Sequence, residues 1–176
     1  MGLGIAVPSS MQRFPRVAIV FYRARSLYGR IVSLFTRSPW SHVAILHETD
    51  GIVLVTNAFG NRGVVPMRPS VQGIPDRIFP IDNWVDPHFA TEWCSQEWGR
   101  AYGWADIWGF VKRKLRLGGQ HDHRGQHCGE LTARFLKDAL LVCRDWKPMM
   151  ANRIDRLPPA HQVSPKMLME VFDHVG

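Results

Sequence analysis

His42–Thr56, HVAILHETDGIVLVT, reads as two apolar runs separated by Thr49-Asp50-Gly51. His42–Leu46 and Ile52–Thr56 are rich in β-branched residues, which suits buried strands, and Asp-Gly accepts the positive φ angles of a tight hairpin turn. A locally closed hairpin sets antiparallel pairing, which is not the regular βαβ alternation of a parallel sheet. Outward on the N-terminal side, Arg16–Tyr22, RVAIVFY, predicts a third buried strand. Between it and the hairpin, Leu27, Ile31, Leu34 and Phe35 recur at helical spacing in Ser26–Arg37, and Ser38-Pro39 ends that helix.

On the C-terminal side, residues Asn57–Asp86 are dense in Gly, Pro, Asn and Asp, with short strands predicted near Val64-Val65 and Ile78–Ile81. Asp86-Pro87 has the cap-and-proline form of a helix start, and that helix is expected to reach about Arg100. A further helix is expected over Trp104–Leu115, then a Gly-rich loop over Gly118–Gln126. His127–Val142, HCGELTARFLKDALLV, follows as an amphipathic helix with Leu131, Phe135 and Ala139 on one row and Leu136 and Leu140 beside it. Lys147–Ala160 reads as loop, and Ser164-Pro165 opens a last helix. The class is α+β: a small antiparallel sheet or barrel packed against helices, in a single domain over 16–176 after a loose lead-in of 1–15.

No run approaches the roughly 18 apolar residues of a membrane span. The N-terminus lacks a basic stretch ahead of an apolar core, so synthesis in the cytoplasm without a signal peptide is expected. Three cysteines do not make a disulfide framework at this length; Cys94 and Cys143, in expected helices, read as small core residues. A formal charge of +7 raises the question of nucleic acid, but the arginines are scattered and the one dense run, Lys112–Arg116, would end a helix. No dedicated nucleic-acid site is expected, and the same charge suits an anionic cell-wall or membrane surface.

Cys128 stands where a loop enters a buried helix. Unpaired N–H groups and the positive end of the helix dipole favour a thiolate there. A cysteine nucleophile needs a base, and the base an orienter. His42 opens a rigid strand, and Asn57 lies at the same open end of the hairpin, which allows a Cys-His-Asn arrangement. His127 stands beside Cys128 and either helps lower its pKa or faces solvent. A competing reading takes His121, His123, His127 and Cys128 as four zinc ligands within eight residues, although the spacing matches no well-defined finger pattern.

A resemblance adds to these readings. Phe21–Leu46 resembles the opening of a circularly permuted family of papain-like cysteine hydrolases, within the broad NlpC-type cell-wall peptidase superfamily that is frequent in phage and prophage genomes. The family's histidine block is matched by Thr36, Ser38, Ser41, His42 and Val43, and its cysteine block by Cys128-Gly129-Glu130-Leu131. Ala101–Phe110, Gly63–Val65 and Val163–Leu168 resemble further family segments, in the family's order, with histidine before cysteine. Two departures stand out: Arg16-Val17 where the family often has Gly-Asp, and Asn57 where His or Glu is common. Gly129 replaces the usual serine, and any small residue is expected to fit there. The resemblance implies a permuted papain-like fold with Cys128 as nucleophile, His42 as base and Asn57 as orienter. Tyr22, Ser41, Tyr102, Trp104 and His127 would line the substrate site. It implies thioester chemistry without metal or cofactor, on peptidoglycan peptides or another acyl substrate, in a chain associated with phage tail or virion proteins. The related lecithin retinol acyltransferase group keeps a lipid-directed hydrolase or acyltransferase open, and a virion protein with a lapsed site is the non-enzyme alternative.

Overall fold

The Asp50-Gly51 pair makes its expected turn: in the computed structural model, which describes residues 14–59, 62–103 and 127–173, the two φ angles are 50° and 74°. Positive φ at both central residues gives a hairpin turn whose twist matches that of its strands. Before it come β1 (Val17–Arg23) and α1 (Leu27–Thr36). The turn joins β2 (Trp40–Thr49) to β3 (Ile52–Phe59), with Thr49 opposite Ile52 and Ile45 opposite Thr56. Next in the chain are β4 (Gly63–Met67), the single turn α2 (Pro69–Gln72) and β5 (Arg77–Pro80). The strands form one open antiparallel sheet in the order β4-β3-β2-β1-β5. Of the two forms expected, sheet or barrel, the described strands make the open sheet.

The helices form where their caps allow. Ser26 accepts the N–H of Gly29 at 3.0 Å to start α1, and Arg37 closes it in the left-handed region at φ 50°. Asp86 accepts the N–H of His88 at 2.8 Å ahead of α3 (Pro87–Glu97). The long helix is α4 (Cys128–Val142). Lys147–Ala160, expected as loop, instead contains α5 (Pro148–Asp155). Pro148 occupies a first-turn position, where its missing N–H costs nothing and its φ already suits a helix. Met150 and Ile154, four apart, then bury one side of it completely. A 3₁₀ turn (Ala160–Gln162) leads to α6 (Pro165–Phe172), capped by Ser164 as expected.

Both faces of the central strands are buried, which is why Val17–Phe21 is a continuous apolar run rather than an alternating one. On one face Val17, Ile19, Phe21, Val43 and Ile45 join Leu131, Phe135, Leu136 and Ala139 of α4, with Phe172 of α6. On the other, Ala18, Val20, Ala44, Leu46 and Val55 cluster with Phe14 and Val53. Cys94 belongs to the first core, as expected, whereas Cys143 sits just past the end of α4, half-buried. A polar clamp ties α3 to α4. Arg134 donates to both oxygens of the buried Glu97 at 3.0 and 3.3 Å, and the Trp93 indole donates to Asp138 at 2.8 Å. β4 begins at Gly63, where φ is 70° and a Cβ would collide with the Arg100 carbonyl. That close approach lets the Val64 N–H donate to Arg100 at 2.8 Å and holds the chain leaving α3 against the sheet.

Candidate active site

Three elements converge on the N-terminal end of α4. β2 brings His42, β3 brings Asn57, and α4 brings Cys128 on its first residue. Asn57 is fully buried, and its amide donates to the Val55 carbonyl at 2.8 Å, which turns its Oδ1 outward as the acceptor. The His42 Nε2 lies 2.9 Å from that oxygen and therefore carries the proton. Nδ1 is then the nitrogen left for the sulfur. The His42 ring stacks on Phe59 at 5.5 Å, and Tyr22, its β1 neighbour, lies at 5.7 Å, so two aromatic rings hold it.

Cys128 is within hydrogen-bonding reach of both His42 and His127. Burial alone would raise the pKa of this thiol. Burial is the largest single influence, but the charge and hydrogen bond of His42, with the nearby His127, together outweigh it, and the net pKa falls well below the ordinary thiol range. Reciprocally, burial opposes the charged form of His42, but the thiolate and then Asn57 leave its pKa raised above the ordinary 6.5. Both directions favour a thiolate–imidazolium pair.

His127 has a different task. Its Nδ1 accepts the Glu130 N–H at 3.2 Å, capping α4, while its Nε2 donates to the His161 carbonyl at 3.2 Å. That pair of bonds defines a neutral imidazole with no N–H left over. Burial opposes its charged form, while the adjacent thiolate, the His161 carbonyl and the charge of Glu130 raise its pKa on balance. Protonation would nevertheless cost the helix its cap and set two imidazolium ions around one sulfur. His42 is the cation of the pair, and His127 faces the protein rather than solvent.

The helix geometry supplies two more groups. Glu130 N–H is capped by His127 and Leu131 N–H bonds to the His127 carbonyl at 3.0 Å. The N–H groups of Cys128 and Gly129 precede the first intrahelical acceptor and point along the axis beside the sulfur. Gly129 also corrects an expectation: a Cβ here would collide with the Val163 carbonyl oxygen, so serine does not fit without a backbone shift.

The remaining expected site residues divide. Tyr22 is 7% exposed, its hydroxyl has no hydrogen-bond partner among the described residues, and burial raises its pKa beyond the ordinary 10. Ser41 is the extra residue where the β1–β2 register shifts, and its hydroxyl packs toward Gly29 of α1. Tyr102 packs half-buried against the main core. Trp104 lies outside the described residues, as do His121 and His123 of the zinc reading and the expected Trp104–Leu115 helix. Among the described residues no group of three or more His, Cys, Asp or Glu side chains could hold a metal ion. Phe59 and the His161 carbonyl were not foreseen. Phe59 could have been, since it lies two residues beyond Asn57 on the same side of its strand. Comparison with protein-family models gives no match, and neither does comparison with curated proteins.

Proposed function

We propose that this chain is a cysteine hydrolase of the permuted papain-like kind, acting on acyl substrates through a thioester, with peptidoglycan peptides as its substrate class. One observation carries the reading: the 2.9 Å bond from His42 to a fully buried Asn57 oxygen, with Cys128 in reach of the same ring. In that arrangement the Cys128 thiolate attacks the carbonyl carbon, and the Cys128 and Gly129 N–H groups receive the developing oxyanion. The His42 imidazolium gives its Nδ1 proton to the leaving amine or alkoxide as the carbonyl–heteroatom bond breaks. Water then attacks the thioester, His42 takes its proton, and the acyl group leaves as a carboxylic acid, restoring the ion pair. The Tyr22 hydroxyl, without a partner among the described residues, is available to donate to bound substrate.

The test is thiol alkylation read cysteine by cysteine. At pH 6 iodoacetamide is expected to modify Cys128 well before Cys94, whose burial pushes its pKa up to about 12, and before the half-buried Cys143. His42→Ala should slow that alkylation and reduce turnover of purified peptidoglycan, read by mass spectrometry, by roughly 10²- to 10⁴-fold. Labelling of Cys128 no faster than that of the other two cysteines would sink the proposal.

A further inference from the structure

The helix between β1 and β2 presents an apolar ridge to the outside. Among its described side chains, Leu27, Ile31 and Leu34 are 78, 44 and 75% exposed, Val32 is half-buried, and Gly29 and Thr36 are buried. An amphipathic helix in a folded domain normally does the reverse. The ridge continues onto the segment after β4: Val71 and Ile74 are 68 and 76% exposed, and Gly73 between them lies against the Arg25 guanidinium just ahead of α1. Beside Leu34 is a shallow basin of about 510 Å³ walled by Arg30, Arg37, Ser33 and Ser38. The chain has no acidic residue from Arg13 through Leu46, so nothing on α1 neutralises Arg30 or Arg37. No helix of the described residues is long and apolar enough to cross a membrane.

We infer that α1 and the Val71–Ile74 segment form a peripheral docking surface for an anionic lipid bilayer, with Leu27, Ile31 and Leu34 inserted among the acyl chains and Arg30 and Arg37 on the phosphate headgroups. Apolar side chains dipping into the interface, flanked by arginines that pair with phosphate, are the two components such binding needs. A protein partner would match the apolar ridge, but the uncompensated arginine basin beside it selects a surface rich in negative phosphate. α1 runs directly into the β2 strand that bears His42, so a docked chain would hold its sulfur close to the membrane plane.

Co-sedimentation with extruded vesicles tests this, using phosphatidylcholine alone and phosphatidylcholine with phosphatidylglycerol. The wild-type chain should bind the mixed vesicles and leave the neutral ones largely unbound. Leu27→Gln with Leu34→Gln keeps the +7 charge and should lower partitioning at least tenfold. Arg30→Gln and Arg37→Gln should each cost about fivefold. Circular dichroism and the Cys128 alkylation rate should stay at wild-type values in the leucine variant, which separates loss of docking from loss of fold or catalytic site. The inference is overturned if the leucine variant binds like wild type or if lipid charge makes no difference. It is equally overturned if the wild type is a dimer that the leucine changes make monomeric.

Discussion

His42 has its two ring nitrogens assigned by its neighbours, and that assignment has a measurable signature. Asn57 can only accept from Nε2, because its own amide is spent on Val55. Removing it leaves a buried N–H without a partner and removes one of the interactions that raise the His42 pKa. A hydrogen bond to a charged group contributes about 1.5–3 kcal/mol, so Asn57→Ala should lower kcat/KM by roughly 10- to 100-fold. The pH profile should change with it. Under the proposed mechanism activity requires ionised Cys128 and protonated His42, so its acid limb follows the lowered thiol and its alkaline limb the raised imidazole. Without Asn57 the imidazolium is less favoured, and the alkaline limb moves to lower pH. The weakened partner also lets the thiol pKa rise, which moves the acid limb up, so a plateau that fails to narrow would exclude this role for Asn57. His42 and Asn57 could be placed together from spacing, because a hairpin with a known turn dictates which residues share an end, and Cys128 was read from its place at a helix start. The neutral state of His127 could not, since it depends on a carbonyl 34 residues away.

α4 is seated by its first turn as much as by its apolar side. Leu131, Phe135, Leu136 and Ala139 are fully buried, and this side was plain in the sequence because it repeats at helical spacing. The seat beneath the nucleophile was not, since the sequence gives no sign that the Val163 carbonyl presses against Gly129. Forcing a methyl group into such a contact costs about 1–3 kcal/mol. Gly129→Ala is therefore expected to lower the melting temperature by roughly 2–12 °C for a domain of this size. It should also reduce Cys128 alkylation, because the backbone that must yield carries the sulfur. A variant with unchanged melting and reactivity would show that the first turn has room to spare. α5 and α1 show where local pattern misleads. The prolines around α5 read as punctuation, although one of them starts the helix. In α1, Leu27, Ile31 and Leu34 of the expected apolar stripe face outward, an orientation that periodicity alone does not encode.

Across the whole molecule, a second histidine makes stability depend on acid. His47 is fully buried between the sheet and α3, bonded to Thr56 at 3.0 Å, with Thr49 and Thr91 each 3.4 Å from its other nitrogen. The Trp98 indole donates to the same Thr56 hydroxyl at 3.2 Å, so the network joins β2, β3 and the end of α3. Burial lowers the His47 pKa from 6.5 to about 4. Between those values the unfolded chain binds a proton that the folded chain refuses, so stability is complete above 6.5, falls as the pH drops from there toward 4, and levels off below it. The loss attributable to this group is about 3 kcal/mol. Urea unfolding at pH 7 and pH 4.5 should show that decline in the wild type and a shallower one in His47→Gln; equal declines would assign the acid sensitivity elsewhere. The order of the parts along the chain has one more outcome. The imidazole leaves the ribosome with the second strand, the sulfur follows more than eighty residues later, and the carbonyl that seats the nucleophile's turn comes later still. A nascent chain therefore carries its sulfur apart from the groups that lower its pKa until Val163 has followed Cys128 out of the ribosome.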